Sequence, residues 1–478
     1  MGKYAFTVSI LHILLVASGS QSQNNDHQLQ HQVLVIPSVS QTPIHHRSLA
    51  SSSEGQNVGW IQVGEDIDGG AAGDNAGRSV GISADGSRVI IGSPNNGAGH
   101  ARIFEENTNG TWVQIGDDIE GEAAGDTSGR SVGISGDGKK VIIGAPLNDG
   151  YSNNAGHARV FEEKDGAWVK IGKDIDTESY LQYAGRSVGI SADGTRVIVG
   201  THATRIYERD ENGDGVQVGQ DIESGSVDDM SGWSVGISAD GSRVIVGAIY
   251  HNGNGDASGR VRIFEEKEGA WERVGESIDG EKAYDESGWS VGISADGKRV
   301  IIGARANSDN GYYSGQARVF EEKDGDWNQV GEDIDGESAD NYLGSSVGIS
   351  ADGTRVIIGA IQSDDGETQP GYASVFEEKD GSWVKLGEDI VGEAAGDYSG
   401  SSVGISADGE RVIIGGRFND GGGIDAGHAR VYKYLPPIKK NDDPSAAQIT
   451  LMNTWITTSA IACGYLSLRV HSEKIIGW

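Results

Sequence analysis

The pentapeptide Ser-Val-Gly-Ile-Ser occurs seven times, beginning at Ser79, Ser131, Ser187, Ser234, Ser290, Ser346 and Ser402. Successive copies are offset by 52, 56, 47, 56, 56 and 56 residues. A period near that length is too long for helical hairpins and fits one four-stranded propeller blade per copy. The second copy shows the four segments clearly, at 131–135, 141–145, 158–163 and 168–172, rich in Val, Ile, Phe and Trp and bounded by Gly, Asp and Asn. The sequence therefore predicts an all-β fold, a seven-bladed β-propeller with four antiparallel strands per blade.

Connection lengths orient the blades. The first two segments of each copy meet at a short Asp-Gly turn such as Ala84-Asp85-Gly86, and the third and fourth at turns such as Lys164-Asp165-Gly166, where Gly supplies positive φ. The other two connections are long, for example residues 146–156 and 173–185. Alternate connections of an up-and-down sheet emerge on one side, so every long loop shares a face, where a ligand would be met. The last copy ends at Pro436-Pro437 without a Trp-containing fourth segment, while Trp60 to Gly64 precedes the first copy. This N-terminal strand is expected to complete the last blade and close the ring, leaving no open edge.

The propeller is assigned to residues 57–435. Glycine, 75 of 478 residues, is periodic and interleaved with apolar segments, so the composition reads as turns and not as disorder. Residues 1–19, with Lys3, an apolar run from Ala5 to Ala17 and small residues at 17–19, read as a signal peptide, which predicts a secreted or cell-surface protein. Residues 20–56, rich in Gln, Ser, His and Asn, read as a low-complexity disordered leader. In the tail, 436–478, the uncharged stretch 446–468 is long enough to span a bilayer but carries many polar residues, and it reads equally as a marginal transmembrane segment or an amphipathic or disordered tail. Any membrane contact would run through this tail. Cys463 is the sole cysteine, so no intramolecular disulfide forms. Asn109-Gly110-Thr111 is a glycosylation sequon in a hairpin turn away from the long-loop face.

The recurring pattern Ser-Gly-x-Ser-Val, Asp-Gly, Val-Ile-Ile-Gly-Ala-Pro (ending at Pro146) and Gly-x-Ala-Arg-Val-Phe resembles the FG-GAP repeats of integrin-α-like propellers. The resemblance covers residues 57–435. It implies a seven-bladed propeller and roles in cell adhesion or ligand binding at the cell surface. Two departures stand out: Ser-Gly or Ala-Gly replaces Phe-Gly, and the first hairpin is only Ala-Asp-Gly, so the family's Asp-x-Asp-x-Asp-Gly calcium loops do not transfer.

Repetition breaks at the residue before each Ser-Val: Arg78, Arg130, Arg186, Trp233, Trp289, Ser345 and Ser401. Pseudo-symmetry places these around the central channel on the long-loop face. The three Arg suit a carboxylate or sulfate and the two Trp a sugar ring, although Arg130 is also spaced to pair with Asp126. Calcium is left open as a cofactor at the long-loop residues Asp149, Asp309, Asp364, Asp365 and Asp420, which otherwise read as turn formers. His100, His157 and His428 precede the third segments of neighbouring blades, but sheets packed ~10 Å apart cannot bring equivalent positions to ~2 Å from one ion.

Net charge is −33, largely from repeated Asp-Ile-Asp-Gly-Glu loops, which excludes nucleic acid as a partner and disfavours anionic lipid. The sequence contains no nucleophile elbow, zinc-protease or phosphate-loop motif. The leading expectation is a non-enzymatic extracellular binding or adhesion propeller that recognises a glycan or protein ligand. The alternatives are a secreted carbohydrate-active enzyme and an acidic, cation-binding wall or matrix protein.

Overall fold

A computed structural model describes residues 59–437 apart from 151, 177–181, 211–212, 224–225 and 362–368. The signal peptide, leader and 446–468 segment expected from the sequence lie outside the described residues. Among those described, no helix is long and apolar enough to cross a membrane.

Seven sheets form the predicted propeller. In the second blade, Ser131–Ile134, Lys140–Ala145, His157–Lys164 and Ala167–Lys170 pair antiparallel in that order, from the axis outward. A short fifth strand, Ile175–Asp176, returns to pair with the start of the third. Gly59–Gln62 pairs with His428–Leu435, bringing Trp60 opposite Tyr434, so the N-terminal strand closes the last blade as expected.

Each blade is covered on both sides, which explains why its second strand is apolar without alternation. In Val89-Ile90-Ile91, Val89 and Ile91 pack with Ile413 and Val431 of the last blade, whereas Ile90 packs with Val141 and Ile143 of the second. All of these side chains are buried.

The Ser-Val-Gly-Ile-Ser strand is innermost, and each of its residues answers to crowding there. A Cβ on Gly133 would lie 3.0 Å from Ile142 Cγ2 and 3.3 Å from Ile190 Cγ2 of the next blade. The same fit recurs from Gly81 with Ile134 round to Gly404 with Ile82. The first serine reaches across: Ser131 Oγ donates to Gly185 O at 2.7 Å and Ser402 Oγ to Gly77 O at 2.7 Å. In the third blade the direction reverses, and Ser187 Oγ accepts from Val235 N. At the short-turn end, Ala84 N donates to Gly136 O, Gly136 N to Ala192 O, and so on through Ala239, Ala295, Ala351 and Ala407 back to Ala84, a closed circle of backbone hydrogen bonds.

The outer strands are stitched by tryptophan. Trp168 Nε1 donates to Ile115 O of the preceding blade at 2.9 Å, and Trp60, Trp112, Trp271, Trp327 and Trp383 do the same at 2.7–2.9 Å. The third blade carries Gly215 at this place. There Arg209, its cross-strand partner, extends Nη1 to Ile171 O at 2.8 Å and replaces the indole donor.

Two outcomes are expected. Gly292→Val forces Cβ to within 2.9 Å of Ile301 Cγ2 and 3.3 Å of Ile349 Cγ2, and should lower the stability measured by urea unfolding by about 1–3 kcal/mol, as overpacked cores do. Deleting residues 57–64 removes the closing strand, so unfolding should broaden and lose its single cooperative transition.

Candidate functional site

The long loops are tied down before they reach the channel. Asp126 Oδ2 accepts from Ala123 N and from Asn148 Nδ2 at 2.9 Å, pinning one long loop to the next, and Asp397 with Asn419 repeats the arrangement at 3.1 Å. Gly156 bridges to Ala184 and Gly259 to Ser287, again joining the two long loops of neighbouring repeats.

Within this frame Arg78, Arg130, Arg186, Trp233 and Trp289 all line one cavity of about 430 Å³ at the channel mouth, together with Ser345 and Ser401. A contiguous cavity of about 580 Å³ shares Arg78, Arg130, Arg186 and Trp233 and extends to Tyr183, His202 and Phe418. No Asp or Glu is among the described residues lining either. Asp126, engaged with its loop, does not pair with Arg130.

Two further arginines, Arg305 and Arg417, reach the same mouth from the residue that follows the second strand. Sequence reasoning missed them. The signal was the position occupied by Pro94 and Pro146 in the first blades, by His202, Ile249 and Ile361 in others, and by Arg in the fifth and seventh.

The aromatic residues hold these guanidiniums. Arg186 Cζ lies 3.5 Å from the centre of the Trp233 ring and Arg305 Cζ 3.1 Å from that of Trp289, while the indoles pack on each other at 4.7 Å. Arg417 lies over Phe418 and Tyr398, at 4.8 and 5.1 Å. Each indole thus carries an arginine against its ring, and the two rings meet at a tilt of 53°.

Among the described residues, Arg305 has a carboxylate partner, Glu286 at 3.0 Å, whereas none pairs with Arg78, Arg130, Arg186 or Arg417. Burial and then repulsion from Arg130, Arg417, Arg186 and Arg305 hold Arg78 well below the usual guanidinium range. Burial, then Arg186 and Arg417, push Arg130 down to about 9. Arg130 still carries its charge at pH 7. A patch of uncompensated positive charge therefore sits at the axis of a chain whose net charge is −33.

The described calcium candidates make hydrogen bonds or ion pairs within their own loops or to a neighbouring one. Asp149 Oδ1 accepts from Asn154 N and Asp420 Oδ1 from Asp425 N, both as turn caps. Asp309 pairs with Lys282 and accepts from Asn307. Asp364 and Asp365 lie outside the described residues. The short Ala-Asp-Gly turns are filled internally, with Asp85 Oδ1 accepting from Ser83 Oγ, Ser87 N and Ser87 Oγ. Asn109 is exposed in the hairpin between His100–Glu106 and Trp112–Gln114.

Crowding of like charge costs the folded state stability. Arg130→Met, which keeps much of the apolar stem, should raise the midpoint of thermal unfolding at pH 7, by about 2 °C if ~1 kcal/mol of repulsion and desolvation is relieved. An unchanged or lower midpoint would show that Arg130 is fully compensated.

A family model for the FG-GAP repeat matches residues 120–161 and 278–320. No curated protein matches the sequence significantly. Among solved structures, hydrazine synthase from Kuenenia stuttgartiensis is similar at 13% identity and a TM-score of 0.48, over 76% of this chain and 96% of that one. A proposed 6-phosphogluconolactonase from Bacteroides uniformis is similar at 14% identity and a TM-score of 0.48, over 67% and 87%. At such identity neither likeness extends to function. The chain is a seven-bladed β-propeller carrying FG-GAP repeats.

Proposed function

We propose that the protein is a non-enzymatic, extracellular binding propeller that recognises an anionic glycan, one bearing carboxylate or sulfate groups, at its channel mouth. The observation that carries this reading is the group of four guanidiniums, from Arg78, Arg130, Arg186 and Arg417, that share a cavity and have no carboxylate partner among the described residues. An arginine fork matches the two oxygens of a carboxylate or sulfate, and partial burial strengthens such pairs. The acidic exterior repels anions elsewhere and leaves the mouth as the favourable place for one.

One tyrosine ring borders the guanidiniums, Tyr183, which lines the larger cavity together with Arg186. Rings of this kind suit the apolar face of a sugar. The absence of acidic residues from the described lining favours binding over hydrolysis, because glycoside cleavage ordinarily needs a pair of carboxyl groups at the bond. FG-GAP repeats are common in extracellular proteins, which agrees with secretion.

The test is an array of neutral, uronate-containing and sulfated glycans probed with the full chain and with an Arg78→Ala, Arg130→Ala variant. Anionic glycans should bind saturably, with affinity falling as salt rises and by at least about tenfold in the variant, the scale of one lost charge-assisted pair. Equal binding of neutral glycans, or unchanged binding by the variant, would overturn the reading.

A further inference from the structure

A second kind of site lies away from the channel, in the grooves between blades on the long-loop face. His157, at the start of the third strand of the second blade, converges with Asp174 of the same blade and Glu122 of the preceding one, one ligand atom from each lying within 4.8 Å of the others. His428, Asp66 and Glu393 repeat the arrangement in the last blade. Both histidines are only 1% exposed. His428 has both ring nitrogens buried without a hydrogen-bond partner, and His157 has Nε2 so. His428 Nδ1 faces Asp66 Oδ2 at 3.5 Å, and His157 Nδ1 faces Glu122 Oε2 at 4.0 Å and Asp176 Oδ1 at 3.7 Å.

The same slot in other blades shows what these carboxylates require. In the fifth blade Gln316 replaces the histidine, and its Nε2 donates to both Glu281 Oε2, at 3.4 Å, and Asp333 Oδ2, at 3.1 Å. In the sixth, Tyr372 takes the position and Lys385 Nζ lies between Glu337, at 3.1 Å, and Asp389, at 2.8 Å. In both, a protein N–H group lies between the two acids. The second and seventh blades put there an imidazole too far from either acid for a sound hydrogen bond.

We propose that His157, Glu122 and Asp174, and equivalently His428, Glu393 and Asp66, are two binding sites for a first-row divalent transition ion such as Zn²⁺. One imidazole and two carboxylates are a sufficient protein set for such an ion, with water completing the shell, and imidazole selects against calcium. Ligands ~2 Å from a tetrahedral ion stand ~3.3 Å apart. That asks a modest rotation of the carboxylates, and Glu122 is free to make it with its side chain 44% exposed. The other carboxylate oxygens are already oriented: Lys170 Nζ holds Asp174 Oδ1 at 2.7 Å, Gln62 Nε2 holds Asp66 Oδ1 at 2.6 Å, and Arg159 and Arg430 stand 3.8 and 3.9 Å from Oε1 of Glu122 and Glu393. His100 lacks a third ligand, because Gly70 occupies the place of Glu122. Equivalent histidines do not share an ion across blades; each finds its acids in its own groove.

The test is calorimetric titration of the chelator-treated full chain with ZnCl₂, comparing it with His157→Gln, His428→Gln and the double variant. Glutamine is the native residue of the fifth blade at this position, so the fold should tolerate it. The leader also contains histidines, at 27, 31, 45 and 46, and the quantity that decides is therefore the difference in stoichiometry. Each single variant should lose one equivalent and the double variant two, with His100→Gln losing none. Excess Ca²⁺ should not displace the bound Zn²⁺. Glu122→Gln and Glu393→Gln, at exposed positions, should lose the same equivalents if either histidine variant misfolds. Equal stoichiometry in wild type and in the folded variants, or no saturable binding by wild type, would overturn the proposal.

Discussion

Close approach of seven innermost strands around one axis is the constraint from which the rest of this molecule follows. Each brings a glycine against the isoleucine of its neighbour, leaving no room for a Cβ at Gly81, Gly133 or their equivalents without displacing Ile Cγ2. Each also presents a serine hydroxyl to the next blade. The pentapeptide is therefore invariant because both of its neighbours are copies of itself. A change in one copy would have to be met on two sides, in a lattice that is closed and cannot relax at an end.

That closure confines variety to the ends of strands. The residue before the pentapeptide and the residue after the second strand both line the channel mouth, outside the glycine–isoleucine contacts that fix the pentapeptide. These are the slots that diverge, into Arg78, Arg130 and Arg186 on one side and Arg305 and Arg417 on the other, with Trp233 and Trp289 between. Holding these guanidiniums together opposes folding, since burial and mutual repulsion depress Arg78, Arg130, Arg186 and Arg417 alike. The scaffold bears it because every blade is locked to two others by indole, hydroxyl and backbone hydrogen bonds. The cluster is thus preorganised by the ring together with the aromatic side chains that pack on its guanidiniums.

Sequence made the architecture legible because the repeat is nearly perfect where packing is strictest. Blade number, strand order and the closing role of Trp60 to Gly64 all follow from counting copies. The first-strand half of the channel mouth was legible for the same reason, as departures from a fixed motif. Arg305 and Arg417 were not, because their slot already varies among Pro, His and Ile, so an arginine there breaks no pattern. The engagement of the indole faces was equally hidden, since Arg186 and Trp233 belong to different blades, and Arg305 sits on the strand beside Trp289. The Arg209 substitution for the missing tryptophan shows the opposite limit: a function of packing conserved while the residue type is lost, readable only once Gly215 and Arg209 are seen to be cross-strand partners.

A repeat protein offers an internal control that single-copy folds lack, because each slot is sampled seven times in one geometry. At the groove between blades the acids of the fifth blade are bridged by an amide from Gln316 and those of the sixth by the ammonium of Lys385. In the fourth blade Arg260 instead pairs with Asp279, at 2.6 Å. The fifth and sixth blades share one electrostatic requirement, a donor or positive charge among carboxylates that approach one another, and they differ in the chemical group that meets it. The histidine slots of the second and last blades keep the acids but exchange the donor for a buried ring whose nitrogens lack partners. Symmetry that fixes the fold thus also isolates the positions where chemistry departs from it, at the mouth and in the grooves.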